Sequence, residues 1–265
     1  MKKYFQIFRL TLQEYLVYRL NFILWRFRSF IFFLSLLFFW MAVYGKENVF
    51  LGYQKSQMLT YVVGVAFLRG VILASRIANL SQLIKDGDLS KILLMPLSVF
   101  KVFLSWDFSD KFLNVSFAIA EILLVFVLFH IKIFFPPSLM LVIFSLVSVV
   151  LAFFLYYFFN MTISISAFWT DEVWSTRWLF GVILLEFFSG AIFPIDILPS
   201  WLSKIIYLTP FPYMIFFPIK IWLGQMSLPE VLKTFLICAF WLVCFYKISF
   251  FLWKRGVKAY GAYKG

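Results

Sequence analysis

The sequence predicts an all-α integral membrane protein. Of its 265 residues, 64% are hydrophobic and 14% are charged, and that charged share is about half of what a soluble domain carries. A soluble fold of this length cannot bury so much apolar surface. The apolar residues also recur in stretches long enough to cross a bilayer as helices. This composition excludes an ordinary soluble enzyme and a disordered chain.

The first element is predicted to be an amphipathic helix over residues 1–20. Apolar residues recur at helical spacing from Tyr4 onward, and the cations Lys2, Lys3 and Arg9 lie between them. Such a helix places its cations against anionic headgroups at the inner interface of the membrane. The alternative is a cytoplasmic helix packed on the rest of the protein.

Six spans follow along a single domain that covers residues 1–265. Arg26 and Arg28 lie near the inner end of the first span, where their side chains are expected to snorkel to the headgroups. The fourth span lies in an uncharged stretch, 133–170, that holds either one long helix to about Phe168 or a helix that loosens near NMTISIS. The other five spans are predicted at about 22–44, 57–75, 112–131, 178–193 and 231–253.

The distribution of cations predicts the orientation. The 24 Lys and Arg residues concentrate before the first span, in the loop 77–111, and after the last span. Because basic segments stay on the cytoplasmic side, both termini are predicted to be cytoplasmic. The same excess of cations would suggest nucleic acid on a soluble protein, but in this composition it indicates topology, and no nucleic-acid partner is expected.

The segment 194–230 is apolar but contains too many prolines for one straight helix. Short helices that are broken at the prolines fit it better. They would enter and leave the membrane from the outer face as a re-entrant hairpin, since irregular backbone is tolerated at membrane depth when protein covers it.

Among the charged residues of the predicted spans, Arg69, Glu121 and Glu186 are expected to lie within the membrane. A charge at that depth is costly unless it is paired, hydrated or neutralised. Either carboxylate could serve a substrate path or a proton relay, or it could make a helix–helix contact with Arg69 as the partner of one of them. The sequence leaves both readings open.

Sites for nucleotides, metals and catalysis are not predicted. The chain has no phosphate-binding glycine loop, no Cys/His cluster and a single histidine, His130. Asp107 and Asp110 are predicted to lie at a helix start beside the membrane, with metal binding as a minor alternative.

Two segments resemble a known family. The first, LIKDGDLSKILLMPLSVF, fits the pattern I-x-x-G-x-L-x-x-L-L-x-x-P-L-S, and its matching residues are Ile84, Gly87, Leu89, Ile92, Leu93, Pro96, Leu97 and Ser98. The second fits S-G-x-x-x-P-x-x-x-x-P-x-W-L…P-F through Ser189, Gly190, Pro194, Pro199, Trp201, Leu202, Pro210 and Phe211. Both resemble the permease subunits of type-2 ATP-binding-cassette exporters, in the bacterial branch with paired permease genes.

The resemblance implies a transport subunit that a separate ATPase drives. It maps the family's coupling helix onto the cytoplasmic loop, and the residues that it implies for ATPase contact are Ile84, Lys85, Asp86, Gly87, Asp88, Leu89, Lys91 and Pro96. Asp88 is predicted to cap the helix that follows it. The alternative to a coupling helix is an ordinary connecting loop with a capped helix. The polar loop TDEVWSTR could supplement the docking surface.

The resemblance also implies an outer gate and partners. The gate candidates are Phe193, Pro194, Trp201, Pro210 and Phe211, which could instead only fill the outer half of the bundle. ATP and Mg would be bound by the ATPase subunit and no cofactor by this chain. A second permease would complete the pathway in the bacterial plasma membrane, and gene pairing favours a heterodimer over a homodimer.

Two other function classes compete with the exporter. One is an ion-coupled secondary transporter, although the two halves of the chain are dissimilar where internal repeats would support it. The other is an integral-membrane enzyme that modifies lipids with Glu121, Glu186 or the Asp107/Asp110 pair. Such an enzyme usually needs a metal cluster or a His/Asp pair.

Overall fold

The fold is helical nearly throughout. A computed structural model describes residues 2–170 and 172–264, apart from the side chains of Leu16 and residues 261–264. Asp171, in the predicted loop TDEVWSTR, lies outside the described residues. The prediction of an all-α membrane protein is confirmed, and the one sheet in the described part of the chain is a two-stranded hairpin, β1 (Val49–Phe50) with β2 (Tyr53–Gln54).

Five helices among the described residues are long and apolar enough to cross a membrane. They correspond to the first four and the sixth predicted spans, and they cover Arg19–Tyr44, Lys55–Leu73, Val99–Phe129, Leu139–Phe168 and Leu228–Tyr260. The predicted fifth span is a helix of shorter length. It is formed by α8 (Val173–Trp178), a π-helical segment (Leu179–Leu184) and α9 (Leu185–Phe188). The six-span topology therefore stays a prediction.

The N-terminal helix α1 (Lys2–Val17) packs along the first half of α6 (Val99–Phe129). The Tyr15 hydroxyl donates to Asp110 (2.5 Å) and the Ser109 hydroxyl donates to the carbonyl of Phe8 (3.0 Å). Helix α1 is thus held on the rest of the protein, and its position at the membrane interface stays a prediction. After Tyr18 the chain continues as α2 (Arg19–Tyr44).

The second span combines α3 (Lys55–Leu68) with a π-helical segment (Arg69–Leu73), and a short 3₁₀ turn (Arg76–Asn79) follows it. The cytoplasmic loop then forms α4 (Leu80–Asp86) and α5 (Leu89–Leu93).

The fourth span is one long helix, α7 (Leu139–Ile165), extended by a 3₁₀ turn (Ser166–Phe168). It begins after Pro136 and Pro137, and the amide of Leu141 in its first turn donates to the side chain of Ser138 at the N-cap (3.4 Å). The continuous helix, without loosening near NMTISIS, is the correct one of the two readings.

The proline-rich outer segment consists of short helices, as predicted. Their boundaries fall beside the prolines, since proline donates no backbone hydrogen bond and restricts its predecessor. The elements are a 3₁₀ turn (Ile195–Ile197), α10 (Ser200–Tyr207), a 3₁₀ turn (Phe211–Tyr213) and α11 (Phe216–Trp222), after which α12 (Leu228–Lys264) closes the chain.

Two hydrophobic clusters hold these elements. The larger joins α2, α3, α7 and the outer segment. The smaller, here called the base cluster, joins the cytoplasmic loop to α6, α7 and α12. Its buried members are Ile77, Leu80, Ile84, Leu89, Ile92, Val102, Phe103, Tyr157, Met161, Ile165, Ala167, Val173 and Trp253.

Candidate functional site

The loop between the second and third spans, predicted to be cytoplasmic, folds as two short helices around a glycine turn. Helix α4 ends at Gly87, whose φ of 84° favours glycine because a side chain is strained there. Asp88 precedes α5 but makes no capping hydrogen bond, so its predicted capping role is wrong. Its carboxylate instead pairs with the ammonium of Lys91 (2.8 Å) across one helical turn. This contact raises the pKa of the exposed Lys91.

Residues of the predicted coupling segment divide into a buried and an exposed face. Ile84 and Leu89 are buried in the base cluster and hold the loop against α6 and α7. Lys85, Asp86, Lys91 and Pro96 are exposed, while Gly87 and Asp88 are half-buried. The exposed residues and the side chain of Asp88, which is 48% exposed, can reach a partner directly, whereas Ile84 and Leu89 cannot.

Two apolar residues on the exposed face are not predicted by sequence reasoning. Leu94 is 85% exposed and Met95 is 43% exposed, immediately before Pro96. The sequence gives only a weak signal for this exposure, because the run Leu93-Leu94-Met95 would suit a buried helix equally well. A surface that joins exposed apolar side chains to charged ones is typical of a protein interface. We call Lys85, Asp86, Lys91, Leu94, Met95 and Pro96 the docking face.

Helix α8 lies close to the same region. The Arg177 guanidinium donates to the carbonyl of Ala78 (3.2 Å) and so ties α8 to the loop. Trp174 is 71% exposed and stacks on Trp178 with ring centroids 5.5 Å apart. Helix α8, which begins within TDEVWSTR and ends at Trp178, thus carries an exposed aromatic pair next to the loop.

The second span joins the loop through a charged pair on α6. The helix of the second span ends at Leu73, which leaves nearby carbonyls without helical partners. The Lys111 ammonium donates to two of these, the carbonyls of Ile72 (3.1 Å) and Ala74. Asp107 accepts hydrogen bonds from the Ser75 hydroxyl (2.6 Å) and from the amide of the following residue (3.0 Å). Backbone groups left free at helix ends need such partners.

The Asp107–Lys111 pair (3.2 Å) corrects the prediction for this stretch. The sequence predicts Asp107 and Asp110 at a helix start, but α6 begins at Val99 and contains both. The charged residues are tolerated inside the helix because their partners come from the second span and from α1. No group of three or more metal-ligating side chains occurs in the described residues.

Four charged residues of the span region, Arg26, Arg69, Glu121 and Glu186, form two separate ion pairs. Arg69 pairs with Glu186 through both Nη atoms, one of them at 2.8 Å, and its guanidinium lies over the ring of Phe32 (4.5 Å). This confirms that Arg69 is the partner of one of the two carboxylates.

The second pair joins Arg26 to Glu121. Nε and Nη2 of Arg26 contact the carboxylate, with Nε at 3.1 Å, and Nη1 donates to the Asn114 side chain (3.2 Å). The expectation that Arg26 snorkels to the headgroups is therefore wrong. The sequence places Arg26 near the membrane edge but does not show that its side of α2 faces Glu121 on α6.

The outer segment is held to the second span at Gly190. Its φ is 82°, and the Tyr61 hydroxyl donates to its carbonyl (2.6 Å). A Cβ at this position would lie 2.5 Å from the Tyr61 oxygen. The amide of Phe216 donates to the carbonyl of Ser189 (2.9 Å). The Ser-Gly pair of the second motif therefore has a structural reason in close packing.

The five gate candidates occupy different environments. Pro194, Pro210 and Phe211 are buried, Phe193 is half-buried, and Trp201 is 63% exposed. The Phe211 ring meets the ring of Phe159 edge-on at 5.6 Å. The candidates thus do not form one constriction within this chain.

A polar network that sequence reasoning does not predict closes the outer end. The Tyr53 hydroxyl donates to Asp196 (2.8 Å), and the Lys220 ammonium contacts Asp196 (2.6 Å). Burial and the Asp196 carboxylate raise the pKa of Tyr53 well above its ordinary value, so Tyr53 stays a neutral donor. The three residues lie far apart in the chain, and no spacing links them.

These features define a polytopic helical membrane protein with a structured loop between its second and third spans and two arginine–glutamate ion pairs between its helices. A comparison with protein families matches residues 30–263 to the family described as ABC-2 family transporter protein. The chain belongs to this family, which makes it a membrane transport permease of an ABC system and confirms the resemblance. Searches of curated proteins and of solved structures gave no significant match.

Proposed function

We propose that this chain is the permease subunit of an ABC exporter and that a separate ATPase subunit drives it through the docking face. The family supports a transport subunit rather than an enzyme. The observation that carries the proposal is the exposure of Leu94 and Met95 beside charged residues, on a loop whose other face is buried in the base cluster.

The loop is suited to transmit force. Ile84 and Leu89 fix it to the ends of α6 and α7, and the Asp107–Lys111 pair joins it to the second span. A displacement of the loop by the ATPase therefore reaches the membrane through packed side chains and hydrogen bonds. ATP and Mg are bound by the ATPase in this proposal, and this chain supplies no cofactor site.

The proposal extends to topology, gate and assembly. Both termini lie in the cytoplasm of a bacterial cell, the outer segment closes the pathway from outside, and a second permease completes the pathway. A heterodimer is favoured over a homodimer. Phe193, Pro194, Trp201, Pro210 and Phe211 are proposed to act in the outer gate, the buried ones by packing and Trp201 by contact with the second permease.

The test is purification of the tagged chain in mild detergent with its partners, followed by mass spectrometry and an ATPase assay. We expect a nucleotide-binding subunit to co-purify. The double variant Leu94→Ser/Met95→Ser should lose it, because truncating apolar residues of an interface weakens binding.

A matched control is Trp201→Ser, which removes an apolar side chain of similar exposure from the outer segment and should keep the ATPase. A chain that purifies without any ATPase contradicts the proposal. An ATPase that binds the Leu94→Ser/Met95→Ser variant as well as the parent excludes the docking face as the contact.

The competing classes, an ion-coupled transporter or a lipid-modifying enzyme, both need a carboxylate that is free to act. Glu121 and Glu186 are each paired with an arginine. Loss of all activity in Glu121→Gln and Glu186→Gln, with assembly intact and no ATPase present, would favour those classes.

A further inference from the structure

The Arg69–Glu186 pair lies where two helices depart from α geometry. Arg69 opens the π-helical segment Arg69–Leu73, and Glu186 lies two residues after the π-helical segment Leu179–Leu184. These are the two π segments in the described part of the chain. Wide turns of this kind are rare and frequently mark functional sites.

The pair is not sealed within the protein. The side chains of Arg69 and Glu186 are 25% and 26% exposed, and the surface beside them is apolar, with Ile183 41% and Phe187 50% exposed. Partly exposed charges at this depth are too costly to face hydrocarbon. They need water or another protein surface, which a pathway between two permeases provides.

One hydrogen-bond donor of the Arg69 guanidinium has no partner among the described residues. Both Nη atoms of Arg69 bind Glu186, whereas its Nε is buried and has no hydrogen-bond partner among the described residues. An unpaired buried donor is unfavourable, because it has lost its hydrogen bonds to water and gained none in the protein. An anionic ligand that displaces Glu186 from the partly exposed guanidinium can bind its remaining donors, because carboxylates and phosphates fit the planar fork.

We propose that Arg69 and Glu186 form a binding site in the transport pathway for the carboxylate or phosphate group of an amphipathic cargo. The cargo's anionic group binds Arg69 in place of, or beside, Glu186, and the apolar surface around Ile183 and Phe187 takes its apolar part. This assignment rests on the proposed function, because it requires that a pathway pass this face.

The Arg26–Glu121 pair provides an internal control. Its side chains are less exposed, 12% and 18%, and each of the three guanidinium nitrogens donates to Glu121 or Asn114. It lies between regular α-helices. No cargo is expected to bind there.

The first experiment measures water access. Cysteine is introduced as Ile183→Cys beside Glu186 and as Leu124→Cys, which is 47% exposed and lies one turn beyond Glu121, in a chain with Cys238→Ala and Cys244→Ala. The full chain, with the partners that co-purify, is reconstituted in nanodiscs of phosphatidylethanolamine and phosphatidylglycerol. A membrane-impermeant maleimide then reports each thiol, since only a hydrated thiol ionises and reacts.

Ile183→Cys should react at least about tenfold faster than Leu124→Cys, because the thiolate forms in water and not in hydrocarbon. Equal, slow labelling at both positions would mean that both faces contact lipid and would overturn the proposal.

The second experiment measures ligand class with two probes, decyl phosphate and decyltrimethylammonium. Decyl phosphate should slow labelling of Ile183→Cys by about tenfold at saturation, and the cationic probe should not. In Glu186→Gln the competing carboxylate is gone, so half-maximal protection should need roughly tenfold less decyl phosphate, a change of about 1.4 kcal/mol in binding free energy.

Arg69→Gln should abolish protection by decyl phosphate, and Arg26→Gln should leave it intact. If either arginine variant fails to fold, Glu186→Gln still decides the question. Equal protection by both probes, or unchanged protection in Glu186→Gln, would overturn the proposal. Protection by decyl phosphate does not depend on the ATPase. If the site is protected in a chain that purifies without an ATPase, the proposed exporter function is contradicted but the proposed binding site is supported.

Discussion

The two ion pairs of the membrane region differ in their surroundings. Arg26–Glu121 joins the regular helices α2 and α6, is mostly buried, and includes Asn114 as a third partner. Arg69–Glu186 joins two helices with wide turns, is about a quarter exposed, and leaves Nε without a partner among the described residues. In our proposal the same residue types therefore serve two purposes, a fixed helix contact at Arg26–Glu121 and a site that can exchange partners at Arg69–Glu186.

The difference shows that a charge at membrane depth is not by itself a sign of function. Burial and saturation of hydrogen bonds indicate a structural pair, while exposure and spare donors indicate a site. This distinction can be tested by substitutions at both pairs and at the glycines that set the helix contacts.

Arg26→Gln is expected to be the most destabilising change. It leaves Glu121 buried without a counter-charge, and breaking such a pair costs about 3–5 kcal/mol. The measurement is thermal unfolding in detergent, followed by the monodisperse fraction on size exclusion. The paired change Arg26→Met/Glu121→Leu should recover most of the loss, and a stable Arg26→Gln single variant would contradict a structural role.

Gly190→Ala should lower stability and disturb the outer segment. A Cβ there collides with the Tyr61 hydroxyl, and the positive φ is strained for alanine. We expect a loss of about 1–3 kcal/mol, measured by the same unfolding assay. Tyr61→Phe, which removes only the hydrogen bond, should cost about 1 kcal/mol. If Gly190→Ala unfolds at the same temperature as the parent, the Tyr61 hydroxyl does not lie close to Gly190.

Arg69→Gln should affect function more than stability. The pair is about a quarter exposed, so its loss should cost about 1 kcal/mol, well below the loss in Arg26→Gln. Cargo-dependent stimulation of ATP hydrolysis in the assembled complex should disappear. If Arg69→Gln and Arg26→Gln lose equal stability, the comparison between the two pairs fails.

Gly181→Ala should give the smallest change, a gain in stability. Gly181 lies in the second π segment, and a Cβ there meets the Arg177 side chain at an ordinary 3.7 Å. Alanine favours a helix by about 1 kcal/mol over glycine. Gly70→Ala is the contrasting control, because its Cβ would lie 3.2 Å from the Asn114 carbonyl. A stabilised Gly70→Ala would contradict the close approach of the second span to α6.

The sequence predicts much of this fold because composition and prolines act locally. Apolar length predicts the spans, and prolines predict the breaks in the outer segment. The direction in which a side chain points around a helix is harder to predict from the sequence. For this reason the predictions of Arg26 at the headgroups and of Asp107 at a helix start are wrong. Both positions depend on partners that arrive from distant parts of the chain.

The site shows the same limit. Charge and depth in the sequence identify Arg69 as a possible partner of Glu121 or Glu186, but they do not say which of the two carboxylates it binds. The π segments beside them could not be predicted, because a wide turn depends on packing between helices, such as the approach of Gly70 to Asn114. The exposure of Leu94 depends in the same way on which face of α5 the base cluster buries.

The central claim is tested most directly by the labelling rate of Ile183→Cys in the complete permease–ATPase complex, with and without ATP. If the docking face transmits ATPase movement to a pathway at Arg69–Glu186, ATP should change this rate severalfold and leave Leu124→Cys unchanged. ATP that is hydrolysed while the rate at Ile183→Cys stays constant, or changes equally at both positions, would contradict the claim.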